Sequence, residues 1–281
     1  MTPVDIRLIQ DVLLAALRED VGSGDVTARA VVSAEAVGIG RIAAKEALTL
    51  SGIRVAEEIA RLVDSNLQFK IVAADALLVG PGDVIAVIEG PARSLLTAER
   101  TMLNVLQRMS GIATETRRYV DRVAGTKARI IDTRKTAPGL RVLDKYAVTC
   151  GGGFNHRAGL FDGVLIKNNH IAFHESPANA IRAVRQHIGH LTKIEVEVHK
   201  LEELVDAIGA GADVVLLDNF TPEQTRQAVE LASGRVPLES SGGITIDNVR
   251  EYAEAGVDYI SVGALTHSVP AVDIHMRVIS D

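Results

Sequence analysis

A chain of 281 residues has room for about two domains, and 47% hydrophobic against 23% charged residues supports large buried cores and no disordered class. The net charge of −6 argues against an extended nucleic-acid face, and no run reaches the ~18 apolar residues of a membrane span. A single cysteine, Cys150, excludes an internal disulfide framework; with no charged n-region before Asp5 and Asp11, the expectation is a soluble cytoplasmic protein.

Ile6, Ile9, Leu13 and Leu17 recur at helical spacing and predict a helix over 5–19 that stops at Gly22 and Gly24. Short β-rich runs follow at Ile39–Ala43, Leu67–Val72 and Val84–Glu89, with Gly80-Pro81-Gly82 as a turn. Pro91 opens a long helical stretch whose face carries Leu95, Leu96, Met102, Leu103, Leu106 and Met109. Gly111 is expected to break it before a second helix to about Val123. This helix–strands–helix block reads as one domain. From residue 128 the pattern alternates strictly. Strand-like runs at 128–132, 162–166, 194–198, 213–217, 236–239 and 258–262 are separated by helical patterns at 140–149, 177–188, 200–209, 222–233 and 246–255. Such repetition predicts a parallel sheet, either an open doubly wound sheet or a β/α barrel. The barrel is favoured because the polar residues fall at or just past the ends of the apolar runs, where a barrel builds its site.

Between Ile130 and Ile171 the charge is +3, so the rest of the chain carries −9. A cationic pocket in an acidic protein points to a small polyanionic ligand. Arg134, Lys135, Arg157 and Lys167 form the cationic set, arginine gripping carboxylate or phosphate bidentately and lysine offering a point charge. Taken singly, each could equally be a surface charge. His156 beside Arg157 suits a donor to a ligand carboxylate. Glu197 and Asp218 end successive strands and could hold Mg²⁺, directly or through water, or receive sugar hydroxyls. Glu195 shares the strand face of Glu197 but lies deeper, where it could equally be a buried partner for a lysine or take a direct role. Two glycine-containing segments, Leu238–Gly243 and Val262–Ala264, sit one βα unit apart and suit phosphate, each followed by a helix N-terminus. No histidine, cysteine and carboxylate spacing matches a zinc site, and Cys150 reads as a small buried residue.

These residues carry a family resemblance. TRKTAPGLRVLDKYAV, GGGFNHRAGLFDGVLIKNNHI, IEVEV, VVLLDNF, LESSGGIT and YISVGALTHS, with LLTAERTMLNVLQRMSGIAT upstream, closely resemble the quinolinate phosphoribosyltransferase family. EDVGSGDVT and AAKEALTLSG extend the similarity over nearly the whole chain. The resemblance implies an α/β protein with an N-terminal α/β sandwich over 1–112, joined by the segment 267–281, and a C-terminal open β/α barrel over 113–266. It implies transfer of a phosphoribosyl group to quinolinate in de novo NAD synthesis, with Mg²⁺ as cofactor. It also implies a homodimer in which Arg100 reaches the partner's quinolinate. By the same resemblance Thr133, Arg134, His156, Arg157 and Lys167 bind substrate, and Lys135 handles pyrophosphate. Glu197 and Asp218 hold the ribose hydroxyls and Mg²⁺; Ser241, Gly242 and Gly243 with Val262, Gly263 and Ala264 take the 5′-phosphate. Lys135, Glu197 and Asp218 are the catalytic set. Three positions depart from the family pattern: Asn168 and His199 stand where acids are common, and Thr149 where arginine is frequent.

Two other readings use the same residues. A sister phosphoribosyltransferase would act on another acceptor, and a Schiff-base aldolase would use Lys135 or Lys167 as nucleophile. A barrel that only binds a phosphate metabolite would not need two acids and four bases at successive strand ends.

Overall fold

The computed structural model of the chain describes residues 4–280. Leu13 and Leu17 form the buried side of α1 (Gln10–Val21), which ends where Gly22 takes a positive φ. Asp25 caps α2 (Val26–Val31) by accepting the Ala28 N–H at 2.8 Å. There follow β1 (Val37–Ala44), β2 (Leu48–Thr49), α3 (Ile53–Val63), β3 (Gln68–Ile71), β4 (Leu78–Val79) and β5 (Val84–Pro91). β1 and β3 both pair antiparallel with β5, and β2 pairs with β4. The chain's last strand, Ile274–Ser280, pairs antiparallel with the other edge of β1. There Ile274 and Met276 are buried and Arg277 is exposed, and the short strand takes its place from β1.

Helix α4 (Ala92–Arg122) is continuous over 31 residues, which corrects the expected break at Gly111. A β-carbon at Gly111 would lie 2.3 Å from the Pro270 carbonyl oxygen. Glycine is needed there for a close backbone approach, and the helix tolerates its propensity cost of about 1 kcal/mol.

Beyond α4 come β6 (Arg129–Ile131), α5 (Arg141–Cys150), β7 (Val164–Ile166), α6 (Asn168–Ile171), α7 (Pro177–Arg185), β8 (Ile194–Val198) and α8 (Leu201–Gly209). β9 (Val214–Asp218), α9 (Pro222–Ala232), β10 (Leu238–Ser241), α10 (Val249–Ala255), β11 (Tyr259–Ser261) and α11 (Ala264–His267) complete the series. The chain forms two compact units. One runs up to Arg117, takes Thr136–Gly152 and resumes at Leu265; the other comprises Arg118–Lys135 and Gly153–Ala264.

In the second unit all six strands are parallel, in the order β6-β11-β10-β9-β8-β7. β6 and β7 stand at the two ends of that row, so the barrel is open between them. Past β6, Ile131 makes a parallel bridge with Phe154. Because side chains alternate along a strand, Glu195 and Glu197 on β8, Leu216 and Asp218 on β9, and Glu239 and Ser241 on β10 share one face. Parallel pairing brings every strand's C-terminal end to the same rim.

In the first unit the fully buried Asp144 of α5 accepts both Arg108 Nε, at 2.9 Å, and Arg108 Nη2, at 2.8 Å. It also accepts the Ala137 N–H at 3.1 Å. Cys150 is buried as expected, and burial pushes its thiol up to about 11. Removing the guanidinium strands a buried carboxylate, so Arg108→Ala should destabilise the protein by about 3 kcal/mol in urea unfolding. Adding Asp144→Asn should recover part of that loss; an Arg108→Ala midpoint equal to wild type would show the pair to be inert.

Candidate active site

The site has two levels inside the open barrel. At the lower level Glu195 and Glu239, from β8 and β10, are almost wholly enclosed. His156 reaches them from the segment after the Ile131–Phe154 bridge. Its backbone N–H donates to the buried Asp132 at 2.8 Å, which fixes that segment against the end of β6. Its ring Nε2 lies 2.9 Å from Glu195 Oε2 and 3.7 Å from Glu239 Oε2, while Nδ1 accepts the Arg157 N–H at 2.7 Å. Burial first, then the neighbouring Glu195 charge, raise the Glu239 carboxyl well above the usual carboxylate range. Of the two readings open for Glu195, the lysine partner is not observed: a histidine stands there, and Lys167 Nζ goes to Glu197, at 3.0 Å.

At the upper level Glu197, His199 and Asp218 converge. His199 Nε2 is 3.6 Å from Glu197 and its Nδ1 is 3.5 Å from Asp218. Asp218 is oriented by Asn219 Nδ2 at 2.8 Å. Asn219 holds a left-handed backbone, φ 57°, which asparagine tolerates better than other side chains do. Its amide donates to the Ser241 carbonyl at 2.9 Å, so the turn after β9 is tied to the end of β10. A β-carbon at Gly242 would fall 2.2 Å from Asn219 Oδ1, and Gly242 has φ 95°; both facts require glycine.

Thr133, Arg134, Lys135, His156, Arg157, Lys167, Asp218, Ser241, Gly242 and Gly243 all line one cavity of about 680 Å³. Glu239 and Ser261 line it too. Arg157 is anchored by Nη1 donating to the Gly163 carbonyl at 2.9 Å. Burial lowers its guanidinium pKa, and the like charge of Arg134 lowers it further. Two cations held together against their repulsion make a receptor for an anion with more than one charge.

Two expectations need correction. Val262 is buried and its N–H is committed to the Ile131 carbonyl at 3.0 Å, so it has no amide for a ligand; Ser261, one residue earlier, lines the cavity instead. The turn at Gly242 and Gly243 does not lead straight into a helix. Both glycines have positive φ, and α10 begins only at Val249, so the amides there act as a turn without a helix dipole. Arg100 is exposed on α4 in the first unit. Glu239 and His199 were missed as site residues. Glu239 was detectable as a charge inside a buried strand, and His199 as the next inward position after Glu195 and Glu197.

Residues 112–277 match the family model described as quinolinate phosphoribosyl transferase, C-terminal domain, and residues 25–110 match the N-terminal domain of the same family. A Mycobacterium leprae relative named carboxylating nicotinate-nucleotide pyrophosphorylase is 45% identical over 273 residues, covering 94% of this chain and 95% of the relative. The crystal structure of NadC from Streptococcus pyogenes superposes with a TM-score of 0.97 at 38% identity, covering all of both chains. That of the Francisella tularensis nicotinate-nucleotide pyrophosphorylase gives 0.95 at 40% identity, covering 99% of this chain and 98% of that one.

The Gly242 turn should be the most sensitive part of the rim. Gly242→Ala combines a left-handed backbone with the clash on Asn219, so titration calorimetry should show inorganic phosphate bound about tenfold more weakly. At Gly243 an added β-carbon meets nothing within 4 Å, so Gly243→Ala should lose less. Equal losses would remove the Asn219 contact from the explanation.

Proposed function

The chain belongs to the quinolinate phosphoribosyl transferase family, and on that premise we propose that its barrel cavity joins quinolinate to phosphoribosyl pyrophosphate. The products are nicotinate mononucleotide, pyrophosphate and carbon dioxide, which makes the enzyme a decarboxylating pentosyltransferase of de novo NAD synthesis. The observation that carries this reading is the convergence of four cations and the strand-end Asp218 on one cavity, with the other strand-end acid, Glu197, bonded to the cavity's Lys167.

Both reactants are polyanions, and their mutual repulsion in a site of low dielectric would amount to many kcal/mol without countercharge. Arg134, Arg157 and Lys167 receive the quinolinate carboxylates, with His156 and Thr133 on the cavity wall. Lys135 meets the pyrophosphate as it departs. Ser241, Gly242 and Gly243 take the 5′-phosphate, together with Gly263 and Ala264. The pyridine nitrogen attacks C1 of the ribose while the bond to pyrophosphate breaks. The sugar then has oxocarbenium character, and Glu197 and Asp218 favour that positive charge. The pyridinium formed is an electron sink, so the 2-carboxylate leaves as CO2 without a protein base, and the ylide carbon left at C2 takes a proton from water. Catalysis is chiefly positioning and fixed electrostatics.

Glu197 and Asp218 fit Mg²⁺, a hard cation that prefers carboxylate and water oxygens and keeps several waters. Because Lys167 already contacts Glu197 at 3.0 Å, attachment through water suits that carboxylate. When bound, the ion neutralises pyrophosphate charge. The same pair disfavours Lys167 as a Schiff-base nucleophile, since such a lysine needs to be desolvated and unpaired. No helix among the described residues is long and apolar enough to cross a membrane. A homodimer in the cytoplasm, with Arg100 reaching the quinolinate of the other subunit, completes the reading.

An assay with quinolinate, phosphoribosyl pyrophosphate and Mg²⁺ should yield nicotinate mononucleotide and CO2 together. Product from nicotinate without CO2 release would redirect the assignment to a sister enzyme. Arg134→Ala and Arg157→Ala should each raise the quinolinate KM and lower kcat, reducing kcat/KM by about thirtyfold or more. Arg100→Ala should be inactive alone and regain activity in mixed dimers with a Lys167→Ala subunit. No rescue would count against a shared site.

A further inference from the structure

The lower level of the cavity poses a problem that the proposed chemistry does not resolve: two buried carboxyl groups sit beneath a pocket read as binding a dianion. Glu239 is 2% exposed and Glu195 9%, and each has one oxygen, Oε1, without a hydrogen-bond partner. The ring of His156 stands between these acids and Arg157. Its Nδ1 accepts the Arg157 N–H at 2.7 Å. A nitrogen that accepts a hydrogen bond carries no proton, so the ring's proton is on Nε2, and Nε2 faces Glu195 Oε2 at 2.9 Å.

We infer that Glu195 and Glu239 are positioning residues that hold His156 as the neutral Nε2–H tautomer, so that the imidazole braces Arg157 and does not act as a cation toward the ligand. The brace has three attachments. The His156 N–H is fixed to Asp132, the ring Nε2–H to Glu195, and the ring Nδ1 to the amide of Arg157. The Arg157 side chain is held separately by the Gly163 carbonyl. Both the backbone and the guanidinium of Arg157 are therefore set before a ligand arrives, which lowers the ordering cost of binding.

A cation is the rival occupant, because the donor atoms of His156, Glu195 and Glu239 all lie within 4.8 Å of one another. A metal on Nε2 would need that lone pair, placing the ring proton on Nδ1, where the Arg157 N–H already points. The tautomer therefore argues for a proton between the acids. Burial and the Glu195 charge both favour the neutral form of Glu239, and a neutral carboxyl can donate to Glu195.

The test uses the full-length protein labelled with ¹⁵N-histidine, and His156→Asn identifies the His156 signals. Long-range proton–nitrogen correlation should show one protonated and one bare ring nitrogen, with the proton on Nε2, before and after dialysis against EDTA. A proton on Nδ1, an imidazolium, or a stoichiometric divalent metal retained at the ring would overturn the inference. This readout does not depend on catalysis, so it stands or falls separately from the quinolinate reading on which the second arm rests. There, Glu195→Leu removes the acceptor and should raise the quinolinate KM about tenfold, leaving the phosphoribosyl pyrophosphate KM within about twofold. Glu195→Gln, whose amide oxygen still accepts from Nε2–H, should restore most of that loss. Equal defects in both variants, or a parallel rise in both KM values, would reduce Glu195 to general scaffolding.

Discussion

Like charges held close together in the second unit constrain everything built around them. Arg134 and Arg157 line one cavity, Arg157 is partly buried, and burial together with Arg134 works against its charge. Such an arrangement persists only if the surrounding structure fixes it. Gly163 anchors the Arg157 guanidinium, His156 anchors its amide, and nearby Glu195 and Asp162 offset part of the repulsion. A polyanion placed between the two guanidinium groups would relieve that repulsion, so the stability the site forfeits would strengthen the proposed binding.

The open barrel provides the geometry. Parallel strands end at a common rim, and the two-residue repeat puts every second side chain inside. On β8 this yields Glu195 below and Glu197 above; the His156 ring joins Glu195 to Glu239, and the His199 ring joins Glu197 to Asp218. Strand pairing also explains the turns. The Asn219 N–H is bonded to the Ser241 carbonyl, so the left-handed Asn219 and the glycine at 242 are one joined feature in which each requires the other's backbone.

Much of this was legible in the chain because it depends on local periodicity. The six barrel strands, the helices between them and the strand-end charges follow from apolar runs ending in polar residues. What was hidden depends on partners far away in sequence. Gly111 looks like a helix breaker until Pro270 packs against it. The final strand has meaning only beside β1, more than two hundred residues earlier. Val262 was read as part of a phosphate loop, yet its amide belongs to the ladder with Ile131. The two acids that flank the His156 ring, Glu195 and Glu239, come from β8 and β10, far along the chain.

Glu195 and Glu197 show why residue type alone does not assign a role. They are two positions apart on one strand, with the same side chain and the same inward direction. Glu197 meets the Lys167 ammonium at the rim, so its charge is compensated by a mobile group that can yield to a substrate or an ion. Glu195 lies one layer deeper against another carboxyl and an imidazole, where solvent cannot compensate a second negative charge. The upper acid therefore has a partner it can exchange. The lower one is confined to holding its neighbours, and one step of the β-strand repeat separates the two environments.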